Sequence, residues 1–197
     1  MIKLLIFDIG GVIIKFREID YVKYIAKKHN FRVYEFARAL FPLIDQMELG
    51  ELRLKDLEDR MSSEFGIKNS GLEWDSAYER LAKVDKDTRA LITKLSKTYK
   101  VVLLSNVSET RYDVLKRVLI RHLNVRAFAS CYLHMRKPDP KIYRYVLSKM
   151  GAKPSEAVFV DDLIPNVRGA RRVGIAAIQF KSAAQVAREL RKHDVTV

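Results

Sequence analysis

The chain has 197 residues, 48% of them hydrophobic and 31% charged, with a formal net charge of +13. Those proportions exclude a disordered chain and two large independent domains, and they suit one compact core with a small insertion. No run approaches the roughly 18 apolar residues of a membrane span, the N-terminus lacks the layout of a signal peptide, and the lone Cys131 permits no internal disulfide, so a cytoplasmic protein is expected.

Residues 2–7 form an apolar run that ends in Asp8-Ile9-Gly10-Gly11. A short run stopped by glycines predicts a strand buried on both faces, followed by a loop whose backbone can approach a ligand closely. Residues 16–86 then read as helices, about 18–29, 33–48, 54–65 and 72–84, with turns at Gly50, Gly66 and Asn69-Ser70-Gly71. This block has no convincing strand. It predicts a helical cap (16–86) inserted into a core made of residues 1–15 and 87–197.

The remainder alternates. Strand signals fall at 101–104, 127–133, 157–160 and 175–180, and helical patterning at 109–122, from Asp139-Pro140 to Gly151, and from Asp162 to about Arg172. Strands alternating with helices of this length predict an α/β fold, a Rossmann-like parallel sheet with helices on both faces. The charge excess lies here: residues 87–197 carry twenty-two basic and nine acidic residues, whereas 16–86 carry thirteen and fourteen. Such a field favours anionic ligands, with phosphate esters ahead of nucleic acid, and also suits a well-hydrated surface.

Open parallel sheets bind ligands beyond the carboxyl ends of their strands. Four predicted strands deliver polar residues there: Asp8, Ser105-Asn106, Lys137 and Asp161-Asp162. Asp8 can serve as a carboxylate nucleophile. Three converging carboxylates are costly unless a cation neutralises them, and magnesium, a hard ion that takes oxygen ligands, suits them. Ser105 and Asn106 can donate to phosphate oxygens, while Lys137, in a segment stiffened by Pro138 and Pro140, offers a point charge to a phosphoryl group. Each of these residues alone could equally be a turn former, a helix cap or a solvated cation.

In this order the segments resemble the haloacid dehalogenase superfamily. Ile6-Phe7-Asp8-Ile9-Gly10-Gly11-Val12-Ile13 resembles its first motif and Leu104-Ser105-Asn106 its second. Lys137-Pro138-Asp139-Pro140 is similar to the third, and Val158-Phe159-Val160-Asp161-Asp162 with Asn166 to the fourth. Glu48-Leu49-Gly50 resembles part of the helical cap. The resemblance implies a magnesium-dependent phosphatase acting on a small phosphorylated metabolite, similar to sugar-phosphate phosphatases and the phosphatase domain of soluble epoxide hydrolase. It implies Asp8 as nucleophile, and magnesium held by Asp8, the Gly10 carbonyl and Asp162 with Asp161 in support. Ser105, Asn106 and Lys137 would hold the phosphoryl group.

One position departs from the pattern. Phosphatases of this group usually carry a second Asp two residues after the nucleophile, as acid and base, and here that residue is Gly10. Loss of such assistance typically costs ~10²–10⁴ in rate. Besides a phosphatase, two alternatives follow: a phosphate- and metal-binding or nucleic-acid-associated protein without turnover, and a haloacid dehalogenase. Arg17, at the entry to the helical block, is a candidate for the distal end of an anionic substrate.

Overall fold

The computed structural model describes residues 1–68, 78, 80 and 82–197. Its centre is a five-stranded, all-parallel sheet of order β3-β2-β1-β4-β5. The strands are β1 (Leu4–Phe7), β2 (Lys100–Ser105), β3 (Arg126–Ala129), β4 (Ala157–Asp161) and β5 (Ala176–Gln179). The described helices are α1 (Glu18–Lys28), α2 (Val33–Glu48), α3 (Leu54–Phe65), α4 (Lys86–Leu95), α5 (Glu109–Leu115), α6 (Ser130–Leu133), α7 (Pro140–Met150), α8 (Ile164–Arg172) and α9 (Ala183–Arg191).

Side-chain alternation along the strands sorts the core into two layers. Leu4, Ile6, Val102, Leu104 and Phe159 pack with Ile142, Tyr143 and Val146 of α7 and Val167 and Ala170 of α8. Their neighbours Leu5, Phe7, Val101, Leu103, Val158 and Val160 pack on the other face with α4, α5 and α9. That second layer continues into α1, α2 and α3 through Val22, Ile25, Phe36, Leu40, Leu57 and Met61. Strands buried on both faces are continuous apolar runs, as the sequence of β1 and β4 required.

Register brings the functional ends level. Phe7 pairs with Leu103 on one side and Val160 on the other, and the Asp8 amide donates to the Val160 carbonyl at 2.9 Å. Asp8, Ser105 and Asp161 therefore emerge side by side at one edge of the sheet. The two segments joining the helical block to the sheet run against each other: Lys15 N–H donates to Lys83 O at 2.8 Å and Asp85 N–H to Ile13 O at 2.7 Å.

Several local expectations hold. Asp139 caps α7, accepting from the Lys141 amide at 2.8 Å, Pro140 opens the helix, and Gly151 ends it in the left-handed conformation at φ 62°. Others are corrected. The run 127–133 is a strand only to Ala129. The Ser130 hydroxyl accepts from the Val107 amide at 2.9 Å, and the chain turns there into α6. The helix expected over 109–122 passes from α5 into a π-helical stretch, Lys116–Ile120, before a last turn at Arg121–Leu123. Helices α4 and α9 are additions to the sequence reading. The helix expected at 72–84 and the turn at Asn69-Ser70-Gly71 lie largely outside the described residues, but Val84 stands in a bridge to Ile14 and is not helical.

Candidate active site

A pocket of about 390 Å³ opens at the carboxyl edge of the sheet, below α1 and α2. Its lining contains Asp8, Gly10, Arg17, Ser105, Asn106, Lys137 and Asp162. Of the residues expected at the site, only Asp161 stands behind the wall, fully buried.

The floor is a closed ionic cluster. The Lys137 ammonium lies 2.7 Å from Asp8 Oδ1 and 2.7 Å from Asp161 Oδ2, with its side chain 1% exposed. Burial works against that charge, but Asp161 and Asp8 outweigh it, so Lys137 stays protonated well above the ordinary lysine range. The Asp8 carboxyl is driven the other way: burial raises it well above the usual carboxylate range, Lys137 opposes, and Asp161 and Asp162 add to the rise. Asp162 is raised as well, by burial and by Asp161.

Asp161 is fully engaged. Besides Lys137, it accepts from the Leu163 amide at 2.8 Å and from Asn166 Nδ2, 3.0 Å from each of its oxygens. Asn166 is fixed in turn, because its carbonyl accepts from the Tyr143 hydroxyl at 2.8 Å. Asn106 is also tied down: its Oδ1 accepts from the Lys137 amide and its Nδ2 donates to the Lys137 carbonyl, both at 2.9 Å. The second Nδ2 hydrogen is not used in these two bonds, and Asn106 lines the pocket. Ser105 is buried at the end of β2 and faces the pocket. Arg17 stands at the mouth with its side chain 61% exposed, its Nε 3.7 Å from Asp20.

Two glycines lie beside the nucleophile candidate, for different reasons. A Cβ on Gly11, whose φ is +72°, would stand 2.3 Å from Asp162 Oδ2, so only glycine lets that carboxylate sit over the loop. A Cβ on Gly10 would meet nothing closer than the Phe16 carbonyl at 3.6 Å. Neither backbone nor packing demands glycine there, and the missing side chain leaves open space.

The cluster fits a divalent cation. Asp8, Asp161 and Asp162 each offer an oxygen, and these oxygens lie within 4.8 Å of one another. Three acids against one ammonium leave a net negative charge at the floor, which a hard cation would neutralise.

The roof carries residues to which sequence reasoning gave no role. Arg136 Nη2 bonds Asp45 Oδ1 at 2.8 Å and Glu48 Oε2 at 2.6 Å. Burial, with Glu18 adding and Arg136 opposing, pushes the Glu48 carboxyl up to about 7. Glu18 pairs with Arg111, whose buried guanidinium lies 5.3–5.6 Å from the ring centroids of Phe16, Tyr21 and Tyr78. A signal was present for both buried groups: Glu48 sits four residues after Ile44, and Arg111 three before Val114, each on an apolar helical stripe. Phe16, Ile19, Phe41, Ile44 and Leu163 supply the apolar part of the wall.

Comparison with known proteins agrees with this architecture. The family model for haloacid dehalogenase-like hydrolases matches residues 2–174. A HAD family enzyme from Bacteroides thetaiotaomicron, solved in complex with magnesium and inorganic phosphate, is 26% identical. It superposes with a TM-score of 0.77 over 92% of this chain and 95% of its own. A sesquiterpene phosphatase of Aspergillus oryzae is 26% identical over 96% of this chain and 95% of its own length. Bifunctional epoxide hydrolase 2 of Rattus norvegicus is 44% identical over 63 residues, 32% of this chain but 11% of that larger protein. With the family model spanning β1 to β4 and the helices between them, the chain belongs to the haloacid dehalogenase-like hydrolases.

Proposed function

We propose that the protein is a magnesium-dependent hydrolase of small phosphomonoesters that works through an aspartyl phosphate on Asp8. The observation that carries this reading is the buried Asp8–Lys137–Asp161 cluster at the floor of the pocket, with Asp162 beside it. In this reading, residues 16–86 form a helical cap over a core of residues 1–15 and 87–197. Asp8, the Gly10 carbonyl and Asp162 hold magnesium, Asp161 supports them, and the ion supplies charge neutralisation between carboxylates and phosphate.

The chemistry then follows from the residues present. Ser105, Asn106, the adjoining main chain and the Lys137 ammonium bind the phosphoryl oxygens. Asn106 also holds the lysine's backbone in place, and Arg17 meets the outer end of an anionic substrate. Asp8 attacks phosphorus, the ester P–O bond breaks, and the alcohol leaves with a proton. Water then attacks phosphorus, the P–O bond to Asp8 breaks, and phosphate departs. Gly10 offers no carboxyl for either proton transfer, so water in the open space beside it takes that part, and substrates with good leaving groups react fastest.

The same glycine supports a second reading, binding of phosphate and metal without turnover. A dehalogenase is the weaker alternative, since three converging acids serve a cation better than a halide. Steady-state hydrolysis of p-nitrophenyl phosphate with magnesium or with chelator, for the parent and for Asp8→Asn, separates these readings. Magnesium-dependent turnover lost in the variant supports the phosphatase. Turnover unchanged in Asp8→Asn contradicts it, and phosphate binding without turnover favours the second reading.

A further inference from the structure

The motif Glu48-Leu49-Gly50 at the end of α2 has no part in the phosphoryl chemistry above. Glu48 is 5% exposed and shares its helix face with Leu40, Ile44 and Met47, where helical spacing calls for an apolar side chain. Its neighbours fasten this end of α2 to the stretch that leads into Lys137. A Cβ on Gly50 (φ +71°) would stand 2.4 Å from the Cys131 carbonyl oxygen, so glycine permits the approach of the two backbones. His134 Nδ1 lies 2.9 Å from the Leu49 carbonyl oxygen. With the backbones held so, Arg136 reaches both Glu48 and Asp45.

Glu48 and Arg136 line the same pocket as Asp8, from the side of the helical block. Among the described residues the pair is only partly used. Arg136 spends Nη2 on both carboxylates, which leaves Nη1 for a ligand, and it bonds Glu48 through Oε2, which leaves Oε1. A carboxylate acceptor next to a guanidinium donor matches a group that both donates and accepts, which is a hydroxyl. Arg136 offsets only one of the two carboxylates it bridges, so an anionic group set between Glu48 and Arg136 would meet a negative excess, whereas a neutral hydroxyl meets both a donor and an acceptor. Phe41, Ile44 and Ile19 offer carbon surface beside the pair.

We infer that Glu48 and Arg136 form the leaving-group subsite and select phosphomonoesters whose alcohol carries at least one further hydroxyl. This rests on the phosphatase reading and adds to it what the pocket prefers. Burial of Glu48 strengthens the selection, because a buried acceptor left without a donor is costly when the leaving group has none to offer.

The test compares glycerol 1-phosphate with p-nitrophenyl phosphate, which has no further hydroxyl, using the parent protein, Glu48→Gln and Glu48→Leu. Glu48→Gln is expected to lower kcat/KM for glycerol 1-phosphate roughly 10- to 100-fold more than for p-nitrophenyl phosphate, the size of one charge-assisted hydrogen bond, with the loss carried mainly by KM. Glu48→Leu is expected to shift preference toward hexyl phosphate, a gain that misfolding cannot produce. A ratio between substrates that stays constant in both variants overturns the inference and leaves the phosphatase reading standing. Absence of p-nitrophenyl phosphate hydrolysis by the parent protein contradicts the phosphatase reading itself and the inference with it.

Discussion

Arg136 and Lys137 are consecutive, and each bridges two carboxylates on opposite sides of one pocket. Lys137 lies between Asp8 and Asp161, both at strand ends, with its side chain 1% exposed. Arg136 lies between Asp45 and Glu48, both on α2, with its side chain 29% exposed. The floor is thus a rigid cluster whose acids are held by the sheet and by Asn166, and whose surplus negative charge calls for a cation. The roof is a looser arrangement carried by a helix, with donor and acceptor atoms to spare. One dipeptide therefore joins the part of the pocket proposed to carry the phosphoryl chemistry to the part proposed to read the alcohol. The proposed chemistry thus falls on residues fixed by strand ends, and the proposed selection on side chains carried by a helix.

The sharpest break in that comparison is at Lys137. In Lys137→Met, Asp8 and Asp161 would face each other without their cation. Stability at pH 7 without magnesium is expected to fall by about 3–5 kcal/mol, and hydrolysis to be abolished. Urea denaturation should show part of the loss recovered at low pH, where the acids protonate. A small and pH-independent loss would mean that the cluster does not hold the floor as described.

Gly10→Asp addresses the space beside the floor. Since a Cβ there meets only the Phe16 carbonyl at 3.6 Å, the variant should fold. It should accelerate alkyl phosphates by up to ~10²–10⁴ and p-nitrophenyl phosphate much less. Equal acceleration of both would show that proton transfer to the leaving group is not what glycine limits.

At the roof, the effect is one of pH. Glu48 titrates near 7 in the fold against 4.5 for an ordinary glutamate. The folded state therefore binds the extra proton between those values, so this group's contribution to stability is full below pH 4.5 and is lost as pH rises through 7. Relative to Glu48→Gln, the parent should lose about 3 kcal/mol of stability between pH 4.5 and 7.5. Parallel pH profiles for the two proteins would place Glu48 in a more solvated setting than the pocket wall described.

The floor was legible in the sequence because each of its parts ends a strand or opens a helix, and such positions carry local signals: a glycine pair after Asp8, Asp139-Pro140 after Lys137, an acid pair after Phe159-Val160. The division of labour within it was not. That Asn106 bonds the Lys137 backbone, and that Asp161 turns inward while Asp162 faces the pocket, follow from tertiary packing. The roof depends on α2 meeting residues 131–136 across the sequence, which periodicity does not register, although an acid on an apolar stripe marked Glu48. In the fold, α7 was readable from its Asp139-Pro140 start and Gly151 stop. The β3 boundary was not, since residues 127–133, apolar but for Ser130, read as strand until the Ser130 contact with Val107 turns the chain. Helix α9 had signals that could have found it, a Ser182 cap and Val186 with Leu190 at helical spacing.

The account stands on Asp8 as the attacking group. Rapid acid quench of the magnesium-loaded protein mixed with p-nitrophenyl phosphate, followed by mass analysis of the intact chain and its peptides, tests this most directly. The expected result is one added phosphoryl group on the peptide that contains Asp8, formed within a turnover and absent from Asp8→Asn. Turnover that proceeds with no phosphoryl group on that peptide, or that persists unchanged in Asp8→Asn, would contradict it.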